Sequence, residues 1–244
     1  MPRDVTSAQT DLPLLNARFA AKPAEAMLAY ALSGTLGRVA MVSSFGADSA
    51  VLLHMLARID PATPVLFIDT LMLFPETLAY QRELAETLGL TDIRVIGPDR
   101  RELFAEDTDA LLHRAHADAC CDLRKRRPLE RALDGFDGWI TGRKRFQGGA
   151  RAGLDLFERD AETGRIKVNP LAGWEARQLA AYMDRHALPR HPLLARGYLS
   201  IGCAPCTGPV APGEDMRAGR WRGQDKTECG IHVVAGRVER RQAS

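Results

Sequence analysis

Five cysteines carry most of the reactive potential of this 244-residue sequence, and their spacing divides them. Four come as two pairs, Cys120-Cys121 and Cys203-Ala204-Pro205-Cys206, and the fifth, Cys229, stands in Glu228-Cys229-Gly230-Ile231-His232. A thiolate attacks electrophilic atoms, binds soft metals and exchanges with disulfides. Taken alone, Cys203-x-x-Cys206 suits a redox dithiol, half a zinc site or half an iron–sulfur site. Adjacent cysteines fit poorly into a zinc finger, whose hairpins separate ligands by two or more residues. Two pairs do supply the four thiolates that a [4Fe–4S] cluster needs. Cluster, zinc and unliganded thiols all stay open at this level. Cys229, beside an acid, a glycine and a histidine in a polar tail, is either a reactive thiol or an incidental residue. A reactive role requires a substrate with an electrophilic atom.

The elements that must position these residues alternate regularly. Residues 38–44 form a short apolar run rich in β-branched side chains, and the glycine-containing turn 45–49 leads into an apolar helix over 50–59. A second buried strand spans 64–69, a helix closed by Gly89 spans 75–88, and a third strand spans 92–96. This order predicts an α/β fold with a Rossmann-like parallel sheet and helices on both faces. Two helices, 12–20 and 23–36, precede it. After it come a helix over 101–117, a basic helix over 122–133 interrupted by Pro128, a fourth strand over 139–141, a mobile basic loop over 143–153, a hairpin from 154–157 and 165–168, and an amphipathic helix over 174–186. Beyond His191 regular structure is expected to be sparse. The expected organisation is an N-terminal extension (1–22), a main body (23–206) and a mobile C-terminal tail (207–244).

Composition narrows the function. Apolar residues make up 45% and charged residues 26% of the chain, as in an ordinary globular protein, and the net charge is +2. The basic residues are clustered near Arg124–Arg127, Arg143–Arg145 and Arg217–Arg222, which fits a small anionic ligand better than a nucleic acid or a membrane. Neither a membrane-spanning run nor a signal-peptide core is present, so a cytoplasmic location is expected, where structural disulfides are rare.

Ser44-Phe45-Gly46-Ala47-Asp48-Ser49 leaves the carboxyl end of a strand and opens a helix, where backbone N–H groups and the helix dipole converge on an anion. It matches neither the Walker pattern nor the dinucleotide glycine pattern. It resembles the modified PP-loop of the adenine nucleotide α-hydrolase-like proteins, with Phe45 in place of the first glycine, as in the sulfonucleotide reductases. Asp69-Thr70-Leu71-Met72-Leu73-Phe74-Pro75-Glu76-Thr77 resembles that family's Asp-Thr-Gly-x-x-Phe-Pro-Glu-Thr segment, with Leu71 where a glycine is usual. Cys-Cys followed by Cys-x-x-Cys, and the Glu-Cys-Gly-Ile-His tail, resemble the assimilatory adenylyl-sulfate (APS) reductases.

That resemblance implies roles. Cys120, Cys121, Cys203 and Cys206 fall on the ligands of a [4Fe–4S] cluster, one per subunit, and Lys125 on the lysine that tunes it. Ser44, Phe45, Gly46, Asp48, Ser49, Asp69, Thr70, Arg143, Arg217, Arg220 and His232 fall on substrate-binding positions, and Cys229 on the nucleophile. The implied activity is reduction of APS to sulfite and AMP through an S-sulfocysteine on Cys229, released by thioredoxin or a glutaredoxin-like dithiol supplied as a separate protein. The rival readings are a reductase of the 3′-phosphorylated substrate (PAPS), a PP-loop ATP pyrophosphatase of the tRNA-thiolating type, and a non-catalytic metal-stapled binding module.

Overall fold

A computed structural model of the chain describes residues 10–224 and 226–230. Among these residues the sheet has six strands in the order β3-β2-β1-β4-β6-β5. They are β1 (Val39–Ser43), β2 (Val65–Ile68), β3 (Ile93–Ile96), β4 (Gly138–Ile140), β5 (Phe157–Arg159) and β6 (Ile166–Val168). Neighbours pair in parallel except β5 with β6, which closes one edge as an antiparallel hairpin.

Alternation along the strands builds two separate cores. Met41, Val65, Phe67 and Ile140 join the larger core with α1 (Leu12–Phe19), α2 (Ala24–Leu32), α3 (Ser49–Ile59), α4 (Pro75–Leu88) and α9 (Ala176–Arg185). Ala40, Leu66, Ile68 and Trp139 point the other way, against Leu129, Leu133 and Phe136. Successive strand residues face opposite sides, so strands with helices on both faces must be apolar at nearly every position. In β2 all four residues are buried.

Three elements differ from the sequence expectation. The helix expected over 101–117 divides into α5 (Arg100–Glu106) and α6 (Leu112–Ala115), because Asp107 turns inward to bond Arg124 and Ala110 takes a left-handed φ of 58°. The basic helix over 122–133 is continuous. α7 (Ala117–Cys121) passes through a π-helical turn, Asp122–Arg126, into α8 (Arg127–Ala132). Pro128 lies in the first turn of α8, where its missing N–H costs little. The loop after β4 is not uniformly irregular: it contains 3-10 turns at Arg145–Gln147 and Gly149–Arg151.

Strand order reverses between β1 and β4, with β2 and β3 to one side and β6 and β5 to the other. In an open parallel sheet, ligands bind in the crevice at such a switch point, beyond the carboxyl ends of the strands. The turns that follow β1 and β4 meet there.

Candidate active site

A cleft of about 210 Å³ occupies this switch point. The β1–α3 turn lines it with Ser44, Gly46, Asp48 and Ser49, and the segment after β4 contributes Gly142, Arg143 and Lys144. The backbone of the first turn is constrained: Phe45 takes φ 46°, with its N–H on Ser43 Oγ at 3.2 Å. The Phe45 side chain is fully buried against Phe67, so it anchors the turn in the core rather than facing the cleft. Leu71 takes φ 59°, the left-handed conformation that glycine enters freely, and its side chain is largely exposed. The loop therefore keeps a glycine-like shape at a strain of order 1–2 kcal/mol.

The cysteine pairs meet below the cleft. Cys120, Cys121, Cys203 and Cys206 line one small cavity together with Met72, Arg124, Lys125 and Trp221. The loop after β2 carries the second pair: Leu73 bridges Cys203, and the Ala204 N–H donates to Met72 O at 2.8 Å. Thr70 Oγ1 lies 3.2 Å from Cys203 Sγ. The five cysteines are thiols, and among the described residues no three His, Cys, Asp or Glu side chains are grouped so as to hold a single metal ion. Burial pushes the Cys120 thiol up to about 11 and the Cys121 thiol to about 12. Bare, these groups are protonated, and they become ligands only where a cationic partner replaces the lost solvation.

Arg124 ties this cage to the cleft. Its Nη2 and Nε lie 2.6 and 2.9 Å from Asp107 Oδ2, and Nη1 donates to Thr70 O at 3.0 Å. Both side chains of the pair are buried. Asp107→Ala leaves that guanidinium buried without its counter-charge, and we expect a loss of about 3–5 kcal/mol, measured by urea unfolding.

Lys125 lines both the cleft and the cage. Burial alone would lower its pKa, but the sulfurs of Cys203, Cys229 and Cys121 outweigh it and raise it, so Lys125 is a cation. Arg220, also on the cleft wall, is buried with its guanidinium 4.3 Å from the centre of the Trp221 ring. Arg220 Nε and Trp221 Nε1 are buried donors that have no hydrogen-bond partner among the described residues. Arg220 packs on Gly202, where a Cβ would run into the guanidinium.

The sequence-predicted residues divide accordingly. Ser44, Gly46, Asp48, Ser49, Thr70, Lys125, Arg143, Arg217, Arg220 and Cys229 all line the cleft. Arg143 does so with its guanidinium already engaged by Glu158, by Asn169 Oδ1 at 3.2 Å and by Thr141 Oγ1 at 3.3 Å. Asp69 is not part of the lining: its Oδ1 accepts the Leu71 N–H at 2.9 Å, which shapes the loop. His232 lies outside the described residues. Lys144, which the sequence reading placed with Arg143 and Arg145 in the basic group after the fourth strand, also lines the cleft, with its Nζ 3.1 Å from Asp48. That reading did not single out Arg151, which lines the cleft. It also passed over Glu228 as a binding group, although Glu228 bonds Arg151 and Arg217.

The comparisons with known proteins agree with this geometry. The family model for the phosphoadenosine phosphosulfate reductase domain matches residues 38–209. The chain belongs to that family. Among its relatives, an adenosine 5′-phosphosulfate reductase of Mesorhizobium japonicum is 54% identical over 84% of this chain and 80% of that protein. A phosphoadenosine 5′-phosphosulfate reductase of Gloeobacter violaceus is 38% identical over 92% of this chain and 95% of its own length. The crystal structure of a Candida auris phosphoadenylyl-sulfate reductase in complex with phosphate superposes with a TM-score of 0.71 at 28% identity, covering 84% of this chain and 99% of that one. Membership makes the chain an oxidoreductase. Among the described residues no helix is long and apolar enough to cross a membrane.

Proposed function

We propose that the chain reduces adenosine 5′-phosphosulfate to sulfite and AMP, with Cys229 as the nucleophile. The observation that carries this reading is the position of Cys229 on the wall of a cleft that also presents Lys125, Arg151, Arg217 and Arg220. The turn 44–49 takes the nucleotide, with Asp48 and Ser49 at the start of α3, and the cations take the phosphosulfate. Residues 23–206 act as the nucleotide- and cluster-binding body and 207–244 as the tail that delivers the thiol.

The Cys229 thiolate attacks the sulfur of the phosphosulfate. The bond from that sulfur to the bridging oxygen breaks, and AMP leaves with the oxygen and the electron pair. Arginines at the leaving phosphate stabilise the charge that develops there. Cys229 becomes an S-sulfocysteine. One thiolate of a separate dithiol protein, thioredoxin or a glutaredoxin-like partner, attacks Cys229 Sγ and expels sulfite. The partner's second thiol resolves the mixed disulfide and returns Cys229 as a thiol. Two electrons pass from the dithiol to the substrate sulfur, and this balance belongs in the reducing cytoplasm.

The cage fits a [4Fe–4S] cluster, one per subunit, held by Cys120, Cys121, Cys203 and Cys206. Four thiols share one cavity without being grouped around a single ion, and a cluster is wider than an ion. The Thr70 hydroxyl beside Cys203 and the Trp221 N–H, which has no partner among the described residues, are polar groups that sulfur acceptors would satisfy. When bound, the cluster supplies a fixed charged body that staples the Cys203–Cys206 turn to α7. Lys125 balances its thiolates on one side and meets the substrate anion on the other.

Supporting APS over PAPS are the relatives at 54% and 50% identity, both named adenosine 5′-phosphosulfate reductases. Sulfite release with thioredoxin, assayed on APS and PAPS in parallel, tests the reading. We expect turnover of APS, and iron with acid-labile sulfide in anaerobically purified protein. Turnover of PAPS alone, or a colourless protein holding one zinc, would contradict it.

A further inference from the structure

Glu228 stands one residue before the thiol, and the reaction scheme above gives it no task. Its carboxylate receives Arg151 twice, Nε to Oε1 at 2.6 Å and Nη2 to Oε2 at 2.9 Å. Arg217 Nη2 lies 3.1 Å from the same Oε1 and donates to Thr227 O at 2.7 Å. The side chains of Arg151, Glu228 and Arg217 are 14%, 15% and 13% exposed, so the contact is largely shielded from water. Burial pushes the Glu228 carboxyl up, but the hydrogen bond from Arg151 and the charges of Arg151 and Arg217 hold it below the usual carboxylate range. It is an anion seated on two cations of the cleft.

The charges around it show what that anion displaces. Lys144 is committed to Asp48, and Arg143 to Glu158. Lys125 and Arg220 form no ion pair among the described residues. Arg151 and Arg217 share the single charge of Glu228, and crowding of the two guanidiniums is visible in Arg217, which burial and Arg151 together lower to about 10. A dianionic ligand entering this cleft meets Glu228 as a competitor for the same pair of arginines.

We propose that Glu228 is a positioning residue that works by exchange: it occupies Arg151 and Arg217 as a substitute anion that seats the tail, then yields part of that contact to the phosphosulfate, leaving Cys229 in reach of the substrate sulfur. The inference rests on the cleft being a phosphosulfate site. It separates two effects that a merely structural residue would not. Removing the charge strengthens the cleft for anions, whereas removing the anchor slows the thiol's attack.

The test uses the full-length holoenzyme and its Glu228→Gln and Glu228→Asp variants. AMP affinity is measured by calorimetry, and Cys229 sulfonation is followed in a single turnover with APS and no reductant. Glu228→Gln is expected to bind AMP about tenfold more tightly, because a charge within contact distance of the arginines is gone, and to sulfonate at least about tenfold more slowly. Glu228→Asp keeps the charge but shortens the reach; it is expected to hold wild-type AMP affinity and still sulfonate slowly. AMP binding unchanged or weakened in Glu228→Gln overturns the exchange. Parallel losses of affinity and rate in both variants reduce Glu228 to a fold contact and overturn it equally. If the wild-type enzyme takes no sulfo group, the proposed function itself fails, while the AMP measurement still decides the exchange.

Discussion

Cys229→Ser lowers sulfite release by about 10⁴-fold or more, the scale expected when a covalent nucleophile is removed. A serine hydroxyl is not ionised at neutral pH, and an oxygen sulfate ester offers a dithiol no divalent sulfur from which sulfite could be expelled. The remaining machinery survives the change. Cys229 is only partly buried and sits in the tail, outside both sheet cores. The Glu228 contacts to Arg151 and Arg217 run through its neighbour's carboxylate. AMP affinity, unfolding midpoint and iron content of Cys229→Ser are therefore expected to match wild type. Retained sulfite release would move the nucleophile elsewhere, and collapse of AMP binding as well would assign Cys229 a structural role.

Lys125→Ala carries the second large effect. Lys125 is the cation that lines both the cleft and the four-cysteine cavity. Its removal takes away the cation that stands between the sulfurs of the cage and the substrate anion. Loss of one partner from a desolvated charge pair costs about 2–5 kcal/mol, which corresponds to a fall in kcat/KM of about 30- to 4,000-fold. The loss should appear in steady-state kinetics with APS and, because the same charge faces the cage, as a shifted visible spectrum of the iron-loaded protein. Wild-type kinetics with an altered spectrum would confine Lys125 to the cage.

The parallel sheet and the cleft turn were legible because their signals are local. The expected strands 38–44 and 64–69 are centred on the unbroken apolar runs 39–42 and 65–68, and β1 and β2 coincide with those runs to within one residue. Gly46 with its flanking hydroxyls marks a strand-to-helix turn whatever the rest of the chain does. The two cysteine pairs, 83 positions apart from Cys120 to Cys203, are joined in the sequence by the count of thiolates and by the family resemblance, and the structure puts them in one cavity. What stayed hidden depends on long-range partners. Arg143 and Arg151 look alike in a basic loop. Glu158 occupies Arg143 because β5 pairs with β6, while Arg151 finds Glu228 at a separation of 77 residues. The π-helical turn before Pro128 reads in sequence as an interruption, because neither helical periodicity nor the proline itself announces a wider turn. Likewise Asp107 reads as an ordinary residue inside the helix expected over 101–117, and its meaning appears only when Arg124 arrives against it.

The central claim is that Cys229 attacks the substrate sulfur. Incubating the wild-type holoenzyme with isotopically labelled APS in the absence of any dithiol, then mapping the peptides by mass spectrometry, tests it most directly. The account predicts a gain of about 80 Da, one labelled sulfo group, on the peptide containing Cys229, in step with AMP release, as covalent catalysis requires. AMP released while the Cys229 peptide keeps its unmodified mass would contradict it.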